Sequence, residues 1–185
     1  MPVLINILLV IFVSAAGIYD IRYRKIPNWL NVTGVILGLV TNTLLGGWHG
    51  LSHALLGLGL ALFLYLPLYA IRGMGAGDVK LMAAIGALAG PWYWFLIFLV
   101  TSVLGGLASF VLMAFKKRVG DTCWNLWFIV SELLHARLPF RGNPQLDIRH
   151  KRALRMPHGA VIASAAIGFV IFRAAAASAL TRAPH

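Results

Sequence analysis

The sequence predicts an all-α membrane protein, a polytopic bundle of about six transmembrane helices with both termini outside. Three observations carry this. Of 185 residues 60% are hydrophobic and only 11% are charged. The apolar residues fall in long unbroken blocks, and Lys and Arg cluster between those blocks. A hydrocarbon layer about 30 Å thick takes roughly 20 apolar residues per helix, so the length suits about six crossings. A single membrane-embedded unit over residues 1–185 follows, with no room for a separate soluble domain.

The first span covers about Val3 to Tyr19 and ends at Asp20, Arg22, Arg24 and Lys25. No Lys or Arg precedes this apolar run, so it reads as a retained helix and not as a cleaved signal peptide. The three cations after it mark the cytoplasmic side. From Ile26 to Ile71 there is no Asp, Glu, Lys or Arg. That stretch suits two spans joined at an outward turn, Gly46-Gly47-Trp48-His49-Gly50.

A second cytoplasmic segment, Arg72 to Lys80, is followed by the uncharged run Leu81 to Phe115. As one helix that run would measure about 52 Å at a rise of 1.5 Å per residue, well beyond a bilayer. Gly90-Pro91 is the expected break, with Trp92, Tyr93 and Trp94 at the outer interface. The run then divides into a short fourth helix and a fuller fifth. Residues 116–156 read as a basic cytoplasmic loop containing one weakly amphipathic surface helix, Trp124 to Leu134. A sixth span starts near Pro157 and runs through Phe172, with Arg173 reaching the outer surface ahead of an alanine-rich tail.

This arrangement places every Lys and Arg inside except Arg173 and Arg182. Keeping residues 81–115 as one span would move Lys116, Lys117 and Arg118 outside and lose the asymmetry. Orientation and contact with anionic membrane lipid therefore explain the net charge of +11 better than nucleic acid does. The basic residues are not interleaved with stacking aromatics on one module, and no nucleic-acid partner is expected. The single cysteine, Cys123, permits neither an internal disulfide nor a cysteine-based zinc site. The six histidines fall on different sides or at the terminus. No metal and no cofactor are expected.

The chain has five acids. Asp121, Glu132 and Asp147 lie in the basic loop, where solvated pairing with Lys and Arg accounts for them. Asp20 and Asp78 each sit at the cytoplasmic end of a span, beside long uncharged stretches. Ionisable groups at such depths are costly and usually functional. Taken singly, Asp20 could be an interfacial partner of Arg22 or Arg24, and Asp78 a helix-start acid on the favourable end of its dipole. Taken together, they stand at the same depth and are the candidate catalytic pair. Two adjacent carboxyls share a proton, and such a pair can activate water against a peptide carbonyl. Gly73, Gly75 and Gly77 would let an extended chain approach the backbone beside Asp78.

Gly75-Ala-Gly77-Asp78-Val-Lys80, opening a short helix, resembles the Gly-x-Gly-Asp signature of the prepilin peptidases. Asp20, followed by Arg22 to Lys25 and then Ile26-Pro27-Asn28, is similar to that family's first aspartate motif. Met156-Pro157-His158-Gly159-Ala160 is similar to its terminal Pro-aromatic-Gly motif. The three stand in the family's order and between them cover nearly the whole chain.

The resemblance implies an aspartic endopeptidase of the bacterial inner membrane with its site at the cytoplasmic face. Its substrate would be a type IV prepilin or pseudopilin precursor, cut between a short basic leader and a hydrophobic helix. Asp20 and Asp78 match the family's catalytic aspartates. Gly75, Gly77, Lys80 and Asn28 lie within the motifs as candidate supports. Lys80 also reads as a cytoplasmic anchor, and Asn28 as a cap for the second helix. A basic leader would be repelled by a basic surface, so lateral docking of the precursor's apolar helix is the expected source of attraction.

Larger bifunctional members carry an N-terminal segment with paired Cys-x-x-Cys motifs and also N-methylate the new pilin terminus. Here the first span starts at once and such cysteines are lacking, so the chain resembles the compact form found with Flp or tight-adherence pili, with methyl transfer not expected. His158 stands where the family has Tyr or Phe, and reads as a substituted packing ring. Two other classes compete: a small transporter relaying protons or a cation through the two aspartates, and a scaffold in which they only pair with Lys and Arg. A relay needs polar groups near mid-depth, and those spans have few.

Overall fold

The computed structural model describes residues 1–70, 74–115 and 158–182. These form four α-helices, with no strand among them: α1 (Val3–Tyr23), α2 (Asn28–Ala70), α3 (Ala76–Phe115) and α4 (His158–Arg182). All four are long and apolar enough to cross a membrane. Gly73, the basic loop 116–156 with its surface helix, Cys123 and the three loop acids lie outside the described residues.

Two of the four helices are broken, at the two positions where the sequence predicts a turn. In α2 the backbone leaves helical geometry at Gly47 (φ 55°, ψ −135°), and in α3 at Gly90 (φ 75°, ψ 173°). Both have positive φ, which glycine adopts without the clash a Cβ would bring. At Gly90 the following residue is Pro91, which supplies no N–H to continue the ladder. Each helix is thus a pair of arms.

The first arm of α3 is the centre of the bundle. Every residue from Leu81 to Gly90 is buried. Its small residues explain how neighbours approach on several sides, as membrane helices do when lipid offers no hydrophobic drive between them. A methyl group built on Gly38 of α2 would lie 2.6 Å from the main-chain carbon of Ala87 and 2.7 Å from the nitrogen of Leu88. One built on Gly57, in the other arm of α2, would strike the carbonyl of Gly86. Asn42 closes the first crossing by donating Nδ2 to the carbonyls of Ala87 (3.0 Å) and Leu88 (3.2 Å).

The second arm of α3 folds back on the first. Fully buried Trp94 donates its indole N–H to the carbonyl of Met82 at 2.9 Å. It also stacks on Phe98 at 5.5 Å and meets Tyr65 edge-on at 6.1 Å. A buried indole needs a partner for its single donor, and the returning arm supplies one. Helix α4 packs along α1, where a methyl group on Gly17 would come within 2.9 Å of Ala163 Cβ.

Two boundaries differ from expectation. Helix α1 continues past Asp20 to Tyr23, so the aspartate lies in its last turn and not beyond its end. The helix stops at Arg24, whose left-handed backbone (φ 53°, ψ 28°) lets its N–H close on the carbonyl of Asp20 at 2.8 Å. Helix α4 runs beyond Phe172 to Arg182, since its alanine-rich end has high helical propensity. Arg173 stacks over the Tyr93 ring, 4.5 Å from its centroid, and donates to the carbonyl of Met1 at 3.2 Å.

Candidate active site

The break after α1 sets the site. Arg24 turns the chain, Ile26-Pro27 leads into α2, and Tyr19 meets Trp29 edge-on at 6.0 Å across the corner. This corner lies at the end of the bundle where α3 and α4 begin. Asp20 comes from the last turn of α1 and Asp78 from the first turn of α3. The two carboxyls are close enough for the charge of one to act on the other.

Asp20 is only 7% exposed, so its carboxyl needs a partner inside the protein. The start of α4 provides one. The N–H of Ala160 donates to Asp20 Oδ2 at 3.1 Å. The first N–H groups of a helix have no partner within it and carry the positive end of its dipole, which suits a carboxylate. Gly159 makes the approach possible: a methyl group there would lie 3.0 Å from Asp20 Oδ2 and 2.8 Å from Ile26 Cδ1.

Asp78 is half-buried and begins its helix differently. The carbonyl of Gly75 accepts from the N–H groups of Asp78 (3.2 Å) and Val79 (3.3 Å). Asp78 Oδ2 folds back over the same glycine, 3.3 Å from where a Cβ would stand. Gly77 faces Ile26, whose Cβ would be 3.6 Å from a methyl group there. Ile26 therefore lies between the glycine that precedes Asp78 and the glycine that packs on Asp20.

The structure joins the two remaining candidate supports. Lys80 Nζ donates to Asn28 Oδ1 at 2.9 Å on an exposed part of the corner. Asn28 is the first residue of α2, and its side chain holds the lysine where the sequence suggested a cap. The pair ties the start of α2 to the residue two positions after Asp78.

Three residues here, Ile26, Asn31 and Tyr65, were not singled out from the sequence. Ile26 was legible only as part of a motif. Asn31, one turn into α2 and 2% exposed, directs Nδ2 at the carbonyl of Gly77, 3.5 Å away. Tyr65 is 2% exposed, held edge-on against Trp94 and Phe98, and within electrostatic range of Asp78. The only advance signal for these two was a polar atom inside an apolar block. His158 opens α4 with its ring against Gly105, whose added Cβ would be 3.4 Å from Cε1, and lies within electrostatic range of Asp20. Among the described residues no three His, Cys, Asp or Glu side chains gather as metal ligands.

The model of the type IV leader peptidase family matches residues 7–110, a stretch that includes both Asp20 and Asp78. A prepilin leader peptidase/N-methyltransferase of Legionella pneumophila is 31% identical over 110 residues, covering 56% of this chain and 38% of that protein. Its counterpart in Neisseria gonorrhoeae is 32% identical over 120 residues, 61% of this chain and 42% of that protein. That of Escherichia coli K12 is 30% identical over 132 residues, 67% and 58% respectively. The chain thus spans between 38% and 58% of the length of these relatives. No solved structure matches.

Proposed function

Because the chain belongs to the type IV leader peptidase family, we propose that it is a prepilin peptidase, an aspartic endopeptidase whose catalytic pair is Asp20 and Asp78. The observation that carries this reading is the convergence of these two acids, from α1 and α3, at one corner where a helix N-terminus holds Asp20. The substrate is a prepilin or pseudopilin precursor, of the Flp type in particular, cut between its basic leader and its hydrophobic helix. The relatives' names also include N-methyltransferase, and nothing among the described residues is assigned to that step.

In the proposed mechanism the pair holds one proton between two carboxyls. The ionised member takes a proton from a water as its oxygen attacks the scissile carbonyl. The protonated member hydrogen-bonds the carbonyl oxygen as negative charge develops there. Collapse of the tetrahedral intermediate breaks the C–N bond and the leaving amine receives a proton from the pair. Such a pair titrates as a unit, so the roles of base and acid belong to both residues together. Gly75 and Gly77 keep the approach to Asp78 open, and Lys80 with Asn28 fixes the start of its helix.

The breaks at Gly47 and Gly90 support six crossings, with both arms of α2 and both arms of α3 counted separately. The clustering of Lys and Arg supports an inner-membrane orientation with the aspartates at the cytoplasmic face and both termini outside. The test is cleavage of a prepilin-like precursor by purified protein in detergent. Asp20→Asn and Asp78→Asn must each nearly abolish leader removal while membrane insertion is unchanged. A variant that cleaves at the wild-type rate would remove that aspartate from the mechanism.

A further inference from the structure

Three polar side-chain atoms among the described residues are buried without a hydrogen-bond partner there: Asn31 Oδ1, Thr101 Oγ1 and an Arg173 guanidinium nitrogen. Arg173 lies against Met1 and Tyr93, away from the catalytic corner, and Thr101 stands one turn before Gly105 in the second arm of α3. Asn31 is part of the floor of that corner. A buried amide oxygen left without a donor costs about 1–3 kcal/mol, so its retention calls for a role.

The surroundings of Asn31 narrow that role. Its own helix supplies Leu30, buried, and Asn28, which is engaged with Lys80. One turn further along α2, a methyl group on Gly34 would run into Phe12 of α1 and lie 3.0 Å from Ala84 Cβ of α3. Asn31 therefore sits where α1, α2 and α3 meet, one turn closer to the aspartates than that contact. Its Nδ2 reaches toward the carbonyl of Gly77, at the long end of the hydrogen-bond range. Gly77 is the residue whose peptide carries Asp78. The amide thus places a buried, unsatisfied acceptor one residue from Asp78, whose carboxyl shares a proton with Asp20 in the proposed mechanism.

We propose that Asn31 is a positioning residue of the aspartate pair: Nδ2 steadies the Gly77-Asp78 peptide, and Oδ1 accepts the acid proton that the pair retains. Resting on the catalytic reading of Asp20 and Asp78, the inference adds a third polar group to it. Asn31 touches no bond that breaks. It fixes the direction in which the acid O–H points between turnovers and releases that proton to the substrate carbonyl when one is bound.

Asn31→Leu keeps the branched shape and the number of side-chain heavy atoms while removing both polar atoms. Two readouts are taken on the detergent-purified protein. With a prepilin-like precursor, kcat should fall by at least about tenfold while KM stays within about twofold, since the loss is of alignment and not of precursor binding. By infrared spectroscopy, the carbonyl band of the protonated carboxyl is identified by its loss in Asp20→Asn or Asp78→Asn. In Asn31→Leu that band should move to higher frequency, as a carboxyl does on losing a hydrogen bond.

A band that does not move overturns the proposal whatever the rate, and so does wild-type kcat in a folded Asn31→Leu protein. If Leu prevents folding, Asn31→Ser keeps an acceptor in a smaller side chain, and its band must lie between those of wild type and a hydrogen-bond-free carboxyl. The infrared readout needs no proteolysis. A band that responds to Asn31 in a protein that never cleaves a precursor would sink the peptidase reading and leave this inference standing.

Discussion

The N–H of Ala160 donates to the carboxylate of Asp20 at 3.1 Å, joining two residues that stand 140 positions apart. The contact gives the third sequence motif a physical task. His158-Gly159-Ala160 opens α4 against α1 and offers its unpaired N–H groups to the acid, with glycine at the point of closest approach. The family resemblance matched these residues to a motif, and the geometry relates them to one carboxylate.

Gly159→Ala should separate activity from stability. The added methyl group meets Ile26 Cδ1 at 2.8 Å and Asp20 Oδ2 at 3.0 Å, both atoms at the far ends of side chains. The backbone can stay in place while the carboxylate turns away, so the fold should lose only about 1 kcal/mol. Displacing a reacting group by about 1 Å costs on the order of 100-fold in rate. Cleavage should drop steeply in a protein whose thermal unfolding in detergent is nearly unchanged. Full activity in this variant would mean that Asp20 is not held by α4 during turnover.

Ile26→Ala tests the wedge between the two acids. Its side chain packs toward Gly77 on one side and Gly159 on the other. Truncation of a half-buried isoleucine should cost about 1–2 kcal/mol, below the 2–5 kcal/mol seen at fully buried sites. Because both aspartate-bearing segments lean on it, kcat should fall further than the lost stability explains. Equal changes in folded fraction and in rate would reduce Ile26 to ordinary packing.

The broad fold was legible because lipid imposes a simple length and polarity rule. The breaks at Gly47 and Gly90 were readable from an uncharged run too long for one span and from glycine or Gly-Pro at its middle. Asp20 and Asp78 were readable because acids are rare in such a chain. The holding contacts were not. Nothing in Ala160 announces a hydrogen bond, since any residue other than proline has the N–H that the start of α4 uses. Asn31 looked like one polar residue among the apolar ones of α2, because its burial depends on where α1 and α3 pass.

Lys80 and Asn28 should prove coupled and modest. Their 2.9 Å hydrogen bond is exposed, so water competes for both partners. In a double-mutant cycle with Lys80→Met and Asn28→Ala, the coupling energy should be about 0.5–1.5 kcal/mol in stability. Cleavage should fall only severalfold in each single variant, because the bond fixes the approach of α2 to α3 and not a reacting atom. Additive effects would show that the two side chains act independently.

Gly57 and Gly59 look alike in the sequence, two residues apart in one apolar helix, and the packing separates them. A methyl group on Gly57 would enter the backbone of Gly86 and lie 2.8 Å from the main chain of Gly90, whereas one on Gly59 meets nothing within 4 Å. Main-chain atoms cannot swing aside as a side-chain tip can. Gly57→Ala must therefore push the second arm of α2 off the central arm of α3, at about 1–3 kcal/mol. Gly59→Ala fills open space and gains helical propensity, so it should be neutral or stabilise by up to about 1 kcal/mol. Thermal unfolding of both variants in the same detergent makes the comparison. If the two shift equally, the arms do not cross at Gly57 and Gly86, and the central placement of the helix bearing Asp78 falls with that crossing.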